Sequence, residues 1–209
     1  MTAFKPSFRM PPHRRVAVVG AVAAGALLLT ACGGDGSDSP ASPPARTAAS
    51  TADAFNDADV AFAQGMIPHH QQAVEMAELA DGRASDQEIK TLTGQIENAQ
   101  EPEIRTMRSW LSAWGKPESP GTDHGAAHGA GEMPGMMSDD DMAALMAAKG
   151  TDFDRKFAQM MIDHHNGAIE MAKDEQAKGR NAAARKLADE VVKTQSAEVE
   201  QMRSILDRL

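Results

Sequence analysis

Two histidine pairs dominate the chemistry open to this chain. His69-His70 and His164-His165 lie in the matching stretches MIPHHQQAVEMA (66–77) and MIDHHNGAIEMA (161–172). Met66 stands one helical turn before its pair and Met76 one to two turns after; Met161 and Met171 repeat the arrangement. Imidazole and thioether together suit copper, Cu(I) above all, better than calcium or magnesium. Structural zinc wants four closed donors and favours Cys, His or carboxylate over thioether. Iron would favour carboxylates, which the central stripes around both pairs lack. A histidine on an apolar stripe is more often a satisfied core residue than a ligand, and methionine is often only a core filler. Both pairs nevertheless persist while neighbours such as Gly65/Met160 and Pro68/Asp163 differ, which favours a metal role for Met66, His69, His70, Met76, Met161, His164, His165 and Met171.

The elements that must position these side chains are helices. The offset of 95 residues that relates the two stretches also aligns Gln100 with Gln195, Glu103 with Glu198, Met107-Arg108-Ser109 with Met202-Arg203-Ser204 and Leu111 with Leu206. Two duplicated units follow, 55–115 and 153–209. Phe62, Met66, Ala73, Ala77 and Ala80 recur with the period of one helix face, as do Ile89, Leu92, Ile96, Ile104, Met107 and Leu111. Asp81-Gly82 closes the first helix, Ser85 is the expected N-cap of the next, and Gly179 breaks the second unit at the matching place. Pro68 and Pro102 lie within helical patterns and should kink them or mark restarts. Two hairpins with one apolar face each bury those faces against each other, giving an all-α four-helix bundle.

On the wheel of the first helix, Met66 and Ala73 mark the middle of the inward stripe, with His69 about 60° to one side and His70 about 40° to the other. Adjacent histidines therefore diverge. Two equivalent sites or one site shared between the first and third helices are both open. Gln100 and Glu103, with Gln195 and Glu198, fall within the apolar stripes of the partner helices. An inward carboxylate needs a partner, and a metal-bound histidine commonly donates its other ring N–H to one. Pairing of Glu103 and Glu198 with Arg108 and Arg203 at the rim is equally compatible with the sequence. Glu75 and Glu170 point about 180° away from Met66 and Met161, toward solvent or an interface.

The connection 116–150 is rich in Gly, Pro, His and Met. Ser138 with Met142, Leu145 and Met146 ahead of Gly150 reads as one short capped helix. His124, His128, Met133, Met136 and Met137 are auxiliary metal candidates, although a plain linker needs no such role.

The N-terminus reads as an address. Lys5, Arg9, Arg14 and Arg15 precede an apolar run that ends Leu29-Thr30-Ala31-Cys32, the pattern of a signal peptide over 1–31. The last four residues resemble a bacterial lipobox, with Cys32, the only cysteine, as the lipidated residue. Residues 32–54 are then a lipidated Cys and a Gly/Ser/Pro/Ala-rich tether, and 55–209 the folded domain. One cysteine excludes intrachain disulfides and multi-cysteine zinc sites. The whole chain carries a formal −9, and removal of the four leader cations leaves −13. Such a balance excludes a nucleic-acid partner.

The two His-His stretches and the Met-Met-Ser-Asp…Phe-Asp run before the second closely resemble the family catalogued as domain of unknown function 305, over residues 55–209. The resemblance implies a ferritin-like helical bundle, usually exported, and some members are copper-binding. Carried over by position, the family motif falls on Met66, His69, His70, Glu75 and Met76, and on Met161, His164, His165, Glu170 and Met171. Which atoms touch metal does not follow from it.

Three functions compete. The favoured one is a lipid-anchored, extracytoplasmic copper protein for buffering, handover or tolerance, with a metal ion and the membrane as partners. A homo-oligomer or a copper-handling partner protein stays open. The second is a metal-free helical interaction module at the cell surface. The third is a ferritin-like metalloenzyme, disfavoured because di-iron bundles carry Glu-x-x-His on two helices and this chain has none. No catalytic constellation is visible.

Overall fold

The computed structural model describes residues 54–119 and 133–209, so the leader, Cys32, the tether to residue 53, His124 and His128 lie outside the described residues. Five helices account for most of it: α1 Asp57–Glu78, α2 Gln87–Ala113, α3 Asp139–Ala147, α4 Thr151–Lys178 and α5 Ala182–Arg208. The hairpins α1–α2 and α4–α5 pack on each other through α1 against α4 and α2 against α5. This is the four-helix bundle expected from the repeat, with α3 as the short helix of the connection, capped by Ser138. Among the described residues no helix is long and apolar enough to cross a membrane.

Two expectations about helix boundaries need correction. The N-cap of α2 is Asp86, whose side chain accepts from the amides of Glu88 and Ile89, and not Ser85. Ser85 instead gives its amide and hydroxyl to Asp154 on α4. Pro68 and Pro102 do not mark restarts, the second of the two outcomes expected of them; α1 and α2 run through them uninterrupted.

The core has a division that decides where chemistry can occur. One apolar cluster joins the C-terminal half of α1 (Ala73, Met76, Ala77) to Ile89, Leu92 and Ile96 of α2, Phe153, Phe157 and Met161 of α4, and Val199, Met202 and Ile205 of α5. The other joins the N-terminal half of α1 (Phe62, Ala63, Met66) to Ile104, Met107 and Leu111, Ala168 and Ala172, and Leu187 and Val191. On every long helix the buried side chains between the two clusters are polar. These are His69 and His70 on α1, Gln100 on α2, His164 and His165 on α4, and Gln195 on α5, all buried. A polar layer thus crosses the waist of the bundle.

The bundle ends are stitched across the repeat. Asp59 of α1 accepts from the amides of Arg180 and Asn181 at the start of α5. Its counterpart 95 residues on, Asp154 of α4, accepts from Ser85 and Asp86 at the start of α2. Each carboxylate holds the other unit's hairpin loop. Beside Asp59 the buried Glu175 carboxyl is pushed up to about 8, first by burial and then by its acidic neighbour. Its folded pKa therefore exceeds the unfolded value near 4.3. The folded state keeps a proton that the unfolded chain loses, so the contribution of Glu175 to stability should be full below about pH 4.3 and fall as pH rises to 8. Glu175→Gln should flatten that slope and raise the melting temperature at pH 8 by roughly 3–5 °C. Thermal melts from pH 5 to 8 check it; parallel slopes for parent and variant would refute it.

Candidate metal centre at the bundle waist

The four histidines come together because α1 and α4 are neighbours that run antiparallel. The duplicated motifs thereby meet at mid-length, with the rings of His69 and His164 in contact at 3.8 Å between centroids and tilted by 43°. His69, His70 and His165 are fully buried and His164 is 1% exposed. Burial, reinforced by the other imidazoles, lowers His69 to about 3 and His164 well below the ordinary histidine range. Both are neutral at physiological pH, and a neutral imidazole offers a lone pair.

Hydrogen bonds fix which nitrogen of three of the rings is already engaged. His70 donates Nε2–H to Glu103 Oε2 at 2.7 Å, and His165 donates to Glu198 Oε2 at 2.6 Å. His69 donates Nε2–H to the carbonyl of Pro134 at 3.0 Å. In all three the Nδ1 atom is buried without a partner, and in His164 both ring nitrogens are. Five orphaned imidazole nitrogens in one layer is a large unpaid desolvation cost for a protein interior. Gln100 and Gln195 add a buried, unpartnered Oε1 each.

Glu103 and Glu198 are bonded to histidines and not to the rim arginines. Arg108 pairs with Glu118 and Arg203 with Glu200, leaving Glu103 and Glu198 to the imidazoles. Met66, Met76 and Met161 are fully buried in the clusters that flank the layer. Met171 is half-buried at the edge of the second cluster, and Glu75 and Glu170 are exposed. Met133, Met136 and Met137 are half-buried; the structure places Met133 beside Gly65 rather than in the layer.

Three contributors were not legible beforehand. Pro134 supplies a backbone oxygen, which no side-chain pattern announces. Gln72 and Gly167 are the two sides of one mismatch in the repeat, and that mismatch was the available signal. Among the described residues no three His, Cys, Asp or Glu side chains are placed to hold an ion by themselves. An ion here would need thioether or amide oxygen as well as imidazole.

The model of the family described as domain of unknown function (DUF305) matches residues 59–206. The chain belongs to the DUF305 family. Comparison with curated proteins finds no match. Among solved structures, a DUF305 protein from Streptomyces coelicolor, taken to be secreted, is 32% identical over 72% of this chain and 91% of its own, with a TM-score of 0.66. A DUF305 fragment from Deinococcus radiodurans is 29% identical, covering 74% of this chain and 98% of its own at a TM-score of 0.65. CopM in its Cu(II)-bound form is 37% identical over 72% of this chain and 96% of its own, at a TM-score of 0.61. CopM is also known in Cu(I)-bound and silver-bound forms.

The Glu103 and Glu198 pairs make a prediction. Glu103→Gln keeps the shape but weakens the acceptor for His70, and the fixed tautomer with it. Metal affinity should fall by about tenfold or more, with Glu198→Gln acting alike. Unchanged affinity with only a lower melting temperature would make both residues structural.

Proposed function

We propose that this DUF305 protein is a non-enzymatic copper-binding protein of the extracytoplasmic side, anchored by a lipid on Cys32, that buffers or hands over Cu(I). The observation that carries the reading is the waist layer, with its five unpartnered imidazole nitrogens flanked by Met66, Met76 and Met161. The donor set is soft to borderline and short of carboxylates, a match for Cu(I) and a poor one for iron or magnesium. Histidine alone does not close a four-donor zinc shell here. Copper- and silver-bound CopM, more than a third identical at 37% and 35%, supports the same class of ion. The Streptomyces relative, taken to be secreted, supports export.

The touching pair His69 and His164, completed by a thioether or amide oxygen of the layer, would hold the ion, which would supply only its own reversible binding. Glu103 and Glu198 fix the tautomers, and the two apolar clusters exclude water. The rival reading, a metal-free helical module, draws on the lack of a three-residue N/O cluster. Anaerobic Cu(I) titration of the 33–209 fragment against a competing chelator separates the two, with Zn(II) and Fe(II) as comparisons. Tight, copper-selective uptake supports the proposal, and none would leave the module. Loss of lipid labelling in Cys32→Ala tests the anchor.

A further inference from the structure

The end of the connection lies across the waist as a strap, and its attachments are unlike anything else in the bundle. The amide of Gln72 on α1 takes both backbone groups of Met137, donating Nε2–H to its carbonyl at 2.9 Å and accepting its N–H at 2.7 Å. On α4 the residue 95 positions later is Gly167, and a Cβ there would fall 1.9 Å from the carbonyl oxygen of Pro134. At Gly135, φ +77°, a Cβ would fall 2.6 Å from the carbonyl oxygen of Asp163 and 3.0 Å from that of His164. That same Pro134 carbonyl accepts from His69 Nε2. One repeat therefore carries the latch and the other the seat, and the peptide between them is bonded to the His69 ring, which in turn touches His164.

Outside the strap, Met133, Pro134, Gly65, Pro68 and Met171 line a groove of about 850 Å³. Pro134 is exposed to that groove on one side and bonded to a buried imidazole on the other. Parting the helices to reach the histidines would expose both apolar clusters to water. Releasing the strap breaks the Gln72 pair and the Pro134 bond and leaves the helices packed, which is the cheaper local opening.

We infer that residues 133–137 are the gate of the imidazole pair, that Gln72 is its latch, and that ligands reach His69 and His164 by release of this strap. For copper the inference rests on the proposed function; for access to the imidazoles it does not.

The test uses the full chain, without and with Cu(I), as parent, Gln72→Ala and Gly167→Ala. In the metal-free protein, diethyl pyrocarbonate modification of His69 and His164, located by mass spectrometry, should speed up by about tenfold in both variants. Transfer of bound Cu(I) to excess bicinchoninate should accelerate by a similar factor while affinity changes far less. Faster modification in a protein that takes up no copper would uphold the gate and overturn the copper reading. Tight copper binding with parent-like modification and transfer rates would overturn the gate alone. Should Gly167→Ala fail to fold by circular dichroism, Gln72→Ala, which only removes side-chain atoms, decides the matter.

Discussion

His164→Leu is expected to abolish tight copper binding and, at the same time, to raise the melting temperature of the metal-free protein. Both ring nitrogens of His164 are buried without a well-formed partner, so desolvation outweighs the weak bond to the His69 backbone. A buried unsatisfied polar group costs about 1–3 kcal/mol, and an apolar replacement of similar size removes that cost. A gain of about 1–2 kcal/mol would raise the melting temperature by roughly 3–6 °C. Removing a donor should cost more than the 10–100-fold typical of its supporting residues, so affinity should fall by about 100-fold or more. The contact between the His69 and His164 rings favours one shared site over two equivalent ones. His69→Ala/His70→Ala should then abolish tight binding rather than halve the stoichiometry. Thermal melts and competitive titration check both halves. Parent-like copper binding in both variants would remove the waist site from consideration.

Asp154→Ala should have the opposite profile, a large loss of stability with the binding chemistry intact. The Asp154 carboxylate is fully buried and accepts from the Ser85 and Asp86 amides and the Ser85 hydroxyl. Hydrogen bonds to a charged group contribute about 1.5–3 kcal/mol each, and truncation leaves their donors behind. A loss of about 3–4 kcal/mol, or roughly 10 °C in melting temperature, is expected. Asp59→Ala should follow for the equivalent reason at the other end. Asp154 lies ten residues from His164 on the same helix, about 15 Å along the axis. Copper affinity of the folded variant should therefore stay within about threefold of the parent, since sites so far apart act nearly independently. Thermal melts with and without Cu(I) check it; a melting temperature within 2 °C of the parent would refute the stitching role.

The sequence was most informative where structure is periodic. The spacing of Phe62, Met66 and Ala73 and the 95-residue offset were enough to anticipate the helices, the hairpins and the inward course of both histidine pairs. Gln100 and Gln195 announced themselves by interrupting apolar stripes. What escaped were bonds between distant positions: Gln72 to Met137, Ser85 to Asp154, and Asn181 to Asp59, with separations of 65, 69 and 122 residues. Local patterns reach only a few helical turns. Ser85 was read as a cap because capping chemistry is local, whereas its hydroxyl is taken by a carboxylate from the other repeat. Asp59 and Asp154 do share the 95-residue offset, so the duplication itself held that clue.

Each of the two apolar clusters draws on both repeats, taking half of every long helix. A single hairpin of the 55–115 type would therefore own two half-cores and complete neither. To bury its face it would need a second copy of itself, related by a two-fold axis through the histidines. The present chain has the architecture of such a homodimer joined end to end. Joining changed what the axis permits. In a true homodimer every position is doubled, so a latch on one subunit would recur on the other and block the seat opposite. Only a fused chain can hold Gln72 and Gly167 at equivalent places, and only a fused chain can have one door.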